Sequence, residues 1–331
     1  MSDHTKKLIF LLIVGLLALS FVAPVVAQGG EQWCAGKHIR FFVGGAEGDA
    51  FASIVLRGAE AADADLGPDV DYIFSGWDPE TMIQQLREAI AAQPDGIAMM
   101  GHPGDDAIMP LAEEAAAAGI AMMYQNVDVP LVRAQFGGGY VGANLYPQGR
   151  ALAEEAIRQF DLEEGATIIV FGPWDQPGRF IREDGTADAF EEAGFNVVRI
   201  NAVPEWAADP NLALPSLTAA YGDNPDTRLI VYPGGQMLGA VPIYMDALGV
   251  APGEVINIGF DTSPAIMEAF DSGYVQLTSD QQPFLQGYLP ILSLCGTLVY
   301  GFGPLNVDTG AGFVDTTNYQ NVAELARAGL R

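Results

Sequence analysis

Polar side chains follow two strand-like segments in the last third of the chain, and their types suit the binding of a small polar molecule. Asp261 comes directly after the apolar run Val255–Phe260, and the segment Asp280–Gln282 follows the run Tyr274–Thr278. In open α/β sheets, ligands bind at the edge where the parallel strands end. Carboxylates accept hydrogen bonds, whereas amides both donate and accept them. This combination predicts a crevice for a neutral, hydroxyl-rich ligand.

Asp261 and the arginines each have a second interpretation. Asp261 could cap the helix predicted to begin at Pro264, a role that is compatible with ligand contact. Lys37 is the only lysine after residue 27, so arginines must supply nearly every cationic contact. Arg182 is a binding candidate on this ground, or it pairs with one of the many surface acids. Arg179 is interpreted as a residue of the cleft rim.

Aromatic residues and one histidine follow other strand-like segments. Trp77, Trp174 and Trp206 lie in polar or Gly/Pro-rich surroundings, and an aromatic face packs well against the C–H face of a sugar ring. Trp206 is the first candidate, with Trp174 and Trp77 in the cleft wall; each could instead be a packing residue. Phe51 has the same two interpretations. His102 is alone, which is more typical of a loop residue than of a ligand or catalyst.

Composition and motifs argue against several function classes. The chain has 42 acidic and 15 basic residues, with a formal net charge of -27, and lacks the basic patch that nucleic-acid phosphates require. The glycines of residues 44–48 lack the G-x-G-x-x-G spacing of a dinucleotide site. Two cysteines and three histidines lie too far apart for a zinc site. There is no G-x-S-x-G elbow and no evident glycosidase pair. We therefore expect no cofactor, no metal and no catalysis.

Strand-like and helix-like segments alternate from Ile39 onward. This pattern predicts βαβ units, and hence parallel sheets with helices on both faces. Two such runs, divided near Asn144, predict an α/β protein with two similar doubly wound lobes. Strands are predicted at Ile39–Val43, Val70–Phe74, Gly96–Met100, Ile120–Tyr124, Ala166–Phe171, Asn196–Ile200, Arg228–Tyr232 and Val255–Phe260, and the later helices include Leu238–Leu248 and Pro283–Tyr300.

The first 27 residues have the pattern of an export signal. Lys6 and Lys7 precede the apolar run Leu8–Val22, and Val25–Ala27 ends like a processing site. The alternative is an uncleaved membrane anchor, since 20 apolar residues span a bilayer. We predict an exported protein, periplasmic or extracellular.

Cys34 and Cys295 are candidates for a disulfide in that oxidising compartment. Cys295 lies 12 residues after Pro283, about 18 Å along a helix that leaves the cleft, and the first strand spans a similar distance. Both sulfurs could therefore lie at the far end of the first lobe. Two buried free thiols are the alternative.

Three segments, in this order and spacing, resemble the periplasmic sugar-binding proteins of ABC transporters, in the ribose- and galactose-binding group. They are Arg182-Glu183 before a helix start, Gly259-Phe260-Asp261 with Pro264, and Asp280–Pro283 with Gln286-Gly287. The resemblance extends from Ile39 to about Phe313 and implies a type I periplasmic-binding-protein fold, in which a three-crossing hinge joins two lobes around a ligand cleft. It implies a first lobe of residues 36–143 plus 280–304 and a second lobe of residues 144–279 plus 305–331, after a signal at 1–27.

The resemblance also implies ligand-binding roles. They fall on Asp49, Phe51 and Asn126 in the first lobe, on Arg182, Trp206 and Asp261 in the second, and on Gln281 at the hinge. The family usually has an Asn-Asp pair after the strand Arg228–Tyr232, where this chain has Pro233-Gly234-Gly235-Gln236. Gln236 could replace the amide, or Gly234 and Gly235 could leave room for a larger ligand. With Asn126 where ribose receptors usually carry an aspartate, the sugar is left open.

The function that the resemblance implies is capture and delivery. We expect a monomer that closes over a small neutral sugar or polyol and passes it to the permease subunits of an ABC transporter, because contacts from both lobes stabilise the closed state. The alternative is a receptor that presents a sugar or an autoinducer-type ligand to a membrane sensor.

Overall fold

The computed structural model describes residues 32–176, 180–310 and 312–331. The predicted signal at residues 1–27 lies outside the described residues. Among the helices that are described, none is long and apolar enough to cross a membrane.

The first lobe is built around a parallel sheet whose central strands are buried. Its strand order is β2-β1-β3-β4-β5-β11, and every described pairing is parallel. The strands are β1 (His38–Gly44), β2 (Asp69–Phe74), β3 (Gly96–Met100), β4 (Ala121–Gln125), β5 (Gly139–Gly142) and β11 (Asn306–Asp308), and the helices around them are α1 (Ala50–Leu66), α2 (Pro79–Ala91), α3 (Asp105–Ala117), α4 (Pro130–Phe136) and α12 (Pro283–Tyr300).

The second lobe repeats this plan with one antiparallel edge strand. Its strand order is β7-β6-β8-β9-β10-β12, and β12 is antiparallel to β10. The strands are β6 (Thr167–Gly172), β7 (Asn196–Asn201), β8 (Thr227–Tyr232), β9 (Ile256–Phe260), β10 (Leu277–Asp280) and β12 (Gly312–Asp315), and the helices are α5 (Leu145–Gln159), α6 (Ile181–Glu192), α7 (Glu205–Ala208), α8 (Leu214–Asp223), α9 (Gly235–Gly239), α10 (Val241–Leu248), α11 (Pro264–Asp271) and α13 (Gln320–Arg327), with a 3-10 turn at Pro210–Ala213.

The predicted fold class is confirmed, and the apolar runs explain why. β3 and β6 are buried along their whole length, as expected for central strands of a parallel sheet that is covered on both faces. The predicted strand at Tyr274–Thr278 is displaced, because the N–H groups of Tyr274 and Val275 close the end of α11 by donating to the carbonyl of Ala269. The predicted helix Leu238–Leu248 is divided, since Pro242 opens α10 and cannot continue α9.

The chain passes between the lobes at three places. It leaves the first sheet after β5, returns between β10 and α12, and crosses again between β11 and β12. The resemblance implies a second lobe that includes residues 305–331, but Asn306–Asp308 extend the first sheet because their backbone pairs with β5. The third crossing therefore follows Asp308.

Each lobe contains two helices that approach closely through glycines. A Cβ atom on Gly58 of α1 would lie 2.0 Å from the carbonyl oxygen of Phe284, at the start of α12. A Cβ atom on Gly149 of α5 would lie 1.8 Å from the carbonyl oxygen of Arg182 in α6. Only glycine fits at these contacts. The close contact with α5 therefore fixes the position of the first turn of α6, which carries Arg182.

A disulfide anchors the segment before β1 to α12. Cys34 and Cys295 are joined with a Cα–Cα distance of 5.5 Å, and both are fully buried in the core of the first lobe. The sequence left the choice between a disulfide and two free thiols open, and the structure has the disulfide.

Candidate functional site

A cavity of about 180 Å³ lies between the two lobes. It is smaller than the 300–1,000 Å³ sites that hold drug-sized ligands, so its size suits a single sugar ring. Thirteen of its 21 lining residues lie within three positions after the end of a strand, at the edge where ligands bind in α/β folds. The lining comprises Phe51, Trp77, His102, Asn126, Val127, Leu145, Pro173, Gln176, Arg182, Glu183, Ala202, Val203, Pro204, Trp206, Ala207, Pro233, Gly234, Gln236, Met237, Asp261 and Gln281.

Most of the predicted site residues come together in this cavity, but two of the described ones do not. Asp49 and Trp174 are absent from its lining, and Arg179 lies outside the described residues. The sequence-based selection missed Glu183, which is buried beside the cavity; the Arg-Glu pair at residues 182 and 183 was the available signal.

Arg182 lines the cavity, and two nitrogens of its guanidinium, Nε and Nη2, are hydrogen-bonded to the protein. Its Nε and Nη2 donate to Glu183 Oε1 at 3.3 and 3.2 Å, and Nη2 also donates to the carbonyl of Pro233. Its guanidinium carbon lies 3.9 Å from the centre of the Phe260 ring, which is a cation–π contact. None of its described hydrogen bonds uses Nη1, so this group can donate to a ligand.

Asp261 is a buried carboxylate at the end of β9. It accepts hydrogen bonds from Gln281 Nε2 at 2.5 Å and from the N–H of Gly235 at 3.0 Å. Burial raises the pKa of this carboxyl, while nearby Arg182 and the two donors oppose the rise. Its other predicted role is wrong, because α11 is capped by Ser263, whose hydroxyl accepts from the N–H of Ile266.

Buried amides connect the cavity to the hinge. Asn126 Nδ2 donates to Gln286 Oε1 at 3.0 Å, and Gln286 Nε2 donates to the carbonyl of Gln281 at 2.9 Å and to Thr309 Oγ1 at 3.1 Å. Gln281 in turn donates to Asp261. This series of hydrogen bonds therefore links one cavity residue of each lobe with two of the three crossings.

Aromatic side chains form the walls of the cavity. Trp206 in α7 is mostly buried, with its ring 6.2 Å from Phe171 in an edge-on contact. Trp77 packs between Phe51 and His102, with ring-centre distances of 5.8 and 5.3 Å. These faces exclude water on both sides of the cleft.

Trp174 has the packing role that was its alternative. Its indole Nε1 donates to the carbonyl of Val170 at 3.4 Å, and its ring lies against Phe180 and under the guanidinium of Arg199. All of these contacts of the Trp174 side chain lie within the second lobe, and the side chain does not line the cavity.

Among the described residues, no group of three or more His, Cys, Asp or Glu side chains is arranged to hold a metal ion. The polar side chains of the cavity are instead a guanidinium, carboxylates, amides and the imidazole of His102, which bind through hydrogen bonds.

Residues 40–298 match the family model of the periplasmic binding protein domain. The chain belongs to the periplasmic binding proteins. This is a family of binding proteins and not of enzymes, and the two lobes described above have its type I fold.

One relative and two solved structures illustrate the similarity. The chain is 27% identical over 281 residues to the xylose/arabinose-binding protein of Sulfolobus acidocaldarius. This alignment covers 78% of the present chain and 66% of the relative, which is just under two thirds of that protein. A carbohydrate transporter from Acidothermus cellulolyticus, in complex with myo-inositol, is 22% identical with a TM-score of 0.76 and covers 89% of this chain and 99% of its own. An ABC transporter solute-binding protein from Burkholderia graminis, in complex with D-arabinose, is 20% identical with a TM-score of 0.76 and covers 86% and 97%.

Proposed function

We propose that this chain is an exported solute-binding protein that captures a small neutral sugar or polyol in the cavity between its lobes and delivers it to an ABC permease. The observation that carries the proposal is the cavity itself, in which hydrogen-bonding groups of both lobes lie between aromatic walls. A ligand held by both lobes would stabilise the closed arrangement, which a permease can distinguish from the open one.

The charges of the cavity favour a neutral ligand. Arg182 is paired with Glu183 and lies near Asp261. Among the described residues that line the cavity, an acidic ligand would meet the carboxylates of Glu183 and Asp261 and the guanidinium of Arg182. Hydroxyl groups can donate to the carboxylates and accept from Nη1 of Arg182 without a buried charge of their own.

The ligands of similar proteins suggest where to begin. The relative from Sulfolobus acidocaldarius is named for xylose and arabinose, and the two solved structures hold myo-inositol and D-arabinose. Pentoses and cyclitols are therefore the first candidates, together with hexoses and linear polyols.

A thermal-shift screen against these compounds, with amino acids and organic acids as comparison classes, tests the proposal. We expect at least one sugar or polyol to raise the melting temperature and to bind in calorimetry. Stabilisation only by another class would contradict the sugar assignment. Conversion of a bound sugar to a product on incubation would contradict a pure binding role.

For a confirmed ligand, we expect Arg182→Ala and Asp261→Ala each to weaken binding by more than about tenfold, or about 1.4 kcal/mol. Calorimetry measures both variants beside Arg158→Ala, because Arg158 pairs with Glu155 on an exposed face of α5 and should not affect binding. Unchanged affinity in both site variants would remove these residues from the site.

A further inference from the structure

We propose that Asp49 and Gln236 form an interlobe latch that stabilises the closed arrangement even without ligand, and that Asp49 acts through this latch and not by touching the sugar. The inference rests on the proposed function, since it concerns the closure that would trap the ligand.

The latch is one hydrogen bond across the cleft. Gln236 Nε2, on α9 of the second lobe, donates to Asp49 Oδ2, at the start of α1 in the first lobe, at a distance of 2.7 Å. Hydrogen bonds to a carboxylate are about twice as strong as those between neutral groups. This bond exists only when the lobes are close together.

The acceptor is held in place within its own lobe. Asp49 Oδ1 accepts from the N–H of Ala52 at 2.8 Å and thereby caps α1, and Oδ2 also accepts from Trp77 Nε1 at 3.0 Å. Three donors thus surround this carboxylate, and it is not part of the cavity lining. Because it is already oriented, forming the bond to Gln236 orders only the glutamine.

The backbone around Trp77 is built to allow this arrangement. Trp77 has a φ of 60°, a left-handed conformation that is an outlier for a bulky side chain. Its ring fits against β1 only because Gly44 and Gly45 have no side chain. A Cβ atom on Gly44 would lie 2.5 Å from the indole ring, and one on Gly45 would lie 2.9 Å from Trp77 Nε1 and 3.0 Å from Asp49 Cγ. Strain of this kind persists at functional sites.

The latch also accounts for the unusual segment after β8. Gly234 and Gly235 precede Gln236, which lines the cavity and whose amide nitrogen donates to Asp49. A bond that favours closure without touching the ligand changes the affinity for every ligand by the same factor.

Exchanging the two polar groups tests the latch. Gln236→Glu places a second carboxylate against Asp49 with little change in size, and we expect it to weaken the binding of two different sugars by the same factor, about tenfold. In the double variant with Asp49→Asn, the new asparagine can donate to the new glutamate, so part of the lost affinity should return. Recovery is incomplete because the asparagine nitrogen can no longer accept the hydrogen bond from Trp77 Nε1. Gln84→Glu is the matched control, because Gln84 donates to Glu88 on an exposed helix within one lobe.

Small-angle scattering of the ligand-free proteins supplies the second readout. We expect a larger radius of gyration for Gln236→Glu than for the wild type, and recovery in the double variant. The latch is wrong if Gln236→Glu has wild-type affinity and radius, or if the double variant shows no recovery. Unequal loss for the two sugars with an unchanged radius would instead make Gln236 a ligand contact. If the wild type binds no sugar, the proposed function fails, while the scattering comparison still decides on the latch.

Discussion

Asp261 illustrates at the scale of one residue how a binding site can reduce stability. Its carboxylate is surrounded by protein, and burial raises its pKa even though Arg182, Gln281 and Gly235 lie close by. A ligand hydroxyl that donates to this carboxylate would stabilise its charge in place of the water that burial excludes. A buried titratable group with a raised pKa in a cleft is typical of functional sites.

The pH dependence of unfolding should report this residue. A carboxyl whose pKa is higher in the folded than in the unfolded protein binds its proton more tightly when folded. Its contribution to stability is therefore present below the unfolded pKa of about 3.9 and is lost as the pH rises through the folded pKa. We therefore expect the free energy of unfolding of the wild type to increase relative to that of Asp261→Asn as the pH falls from 7 towards 4. Denaturant titration at several pH values measures this difference.

Asp78 provides a control of opposite sign. Hydrogen bonds from Thr81 lower the pKa of its carboxyl, so its contribution is present above the unfolded pKa and is lost as the pH falls through the folded one. The wild type should lose stability relative to Asp78→Asn as the pH falls below about 4, the ordinary pKa of an aspartate. A change of the same sign for Asp261 and Asp78 would mean that the trend belongs to the net charge and not to Asp261.

At the scale of elements, the site depends on how closely helices approach one another. Arg182 lies in the first turn of α6, and Gly149 of α5 lies directly against its carbonyl oxygen. The glycine contact is therefore part of the machinery that positions the guanidinium, although Gly149 does not line the cavity.

We expect Gly149→Ala to destabilise the protein by about 1–3 kcal/mol, because the added methyl group must push α5 and α6 apart. It should also weaken sugar binding, since Arg182 moves with α6. Gly222→Ala is the control: it lies in α8 with no atom within 4 Å of the added group, and alanine is the better helix former by about 1 kcal/mol. Thermal melts and calorimetry of the two variants measure both effects, and equal behaviour would contradict the helix-contact argument.

The disulfide acts at the same scale, by joining the segment before β1 to α12. It closes a loop of 261 residues, so its removal should lower the free energy of unfolding by about 2–5 kcal/mol. We expect a lower melting temperature in a reductant or in the Cys34→Ala/Cys295→Ala double variant. Intact mass before and after alkylation verifies the bond, and two free thiols in the oxidised protein would contradict it.

At the scale of the whole molecule, the two lobes meet at crossings that are held by polar contacts as well as by the chain. Asp280, at the end of β10, is fully buried; its Oδ1 accepts from the N–H of Gln282, and its Oδ2 accepts from Arg331 Nε at 2.7 Å. Arg331 thereby joins the segment after α13 to the second crossing.

Removing this partner leaves the carboxylate of Asp280 buried without a cation. We expect Arg331→Ala to cost about 1–3 kcal/mol, less than a fully buried pair because Arg331 is partly exposed. Arg327→Ala, which breaks the exposed pair with Asp271, should cost at most about 1 kcal/mol. Denaturant titration of the two variants makes the comparison, and equal losses would show that burial of Asp280 is unimportant.

The sequence by itself determined the order of elements and the chemistry of the cleft. Apolar runs predicted buried strands such as β3 and β6, and polar residues placed directly after strands predicted that Asp261 and Gln281 meet in one crevice. These conclusions follow from local periodicity, which depends on neighbours along the chain. The edge assignment follows from the geometry of parallel sheets.

Only the tertiary structure decided which of these side chains face the cavity. Asp49 and Trp174 have suitable types and positions in the sequence. The carboxylate of Asp49, however, accepts hydrogen bonds from its own helix, from Trp77 and from the opposite lobe. Trp174 packs inside the second lobe. Gln236 acquires its partner from a residue 187 positions away. Such contacts depend on how two separately packed lobes meet, and residue spacing along the chain carries no information about that distance.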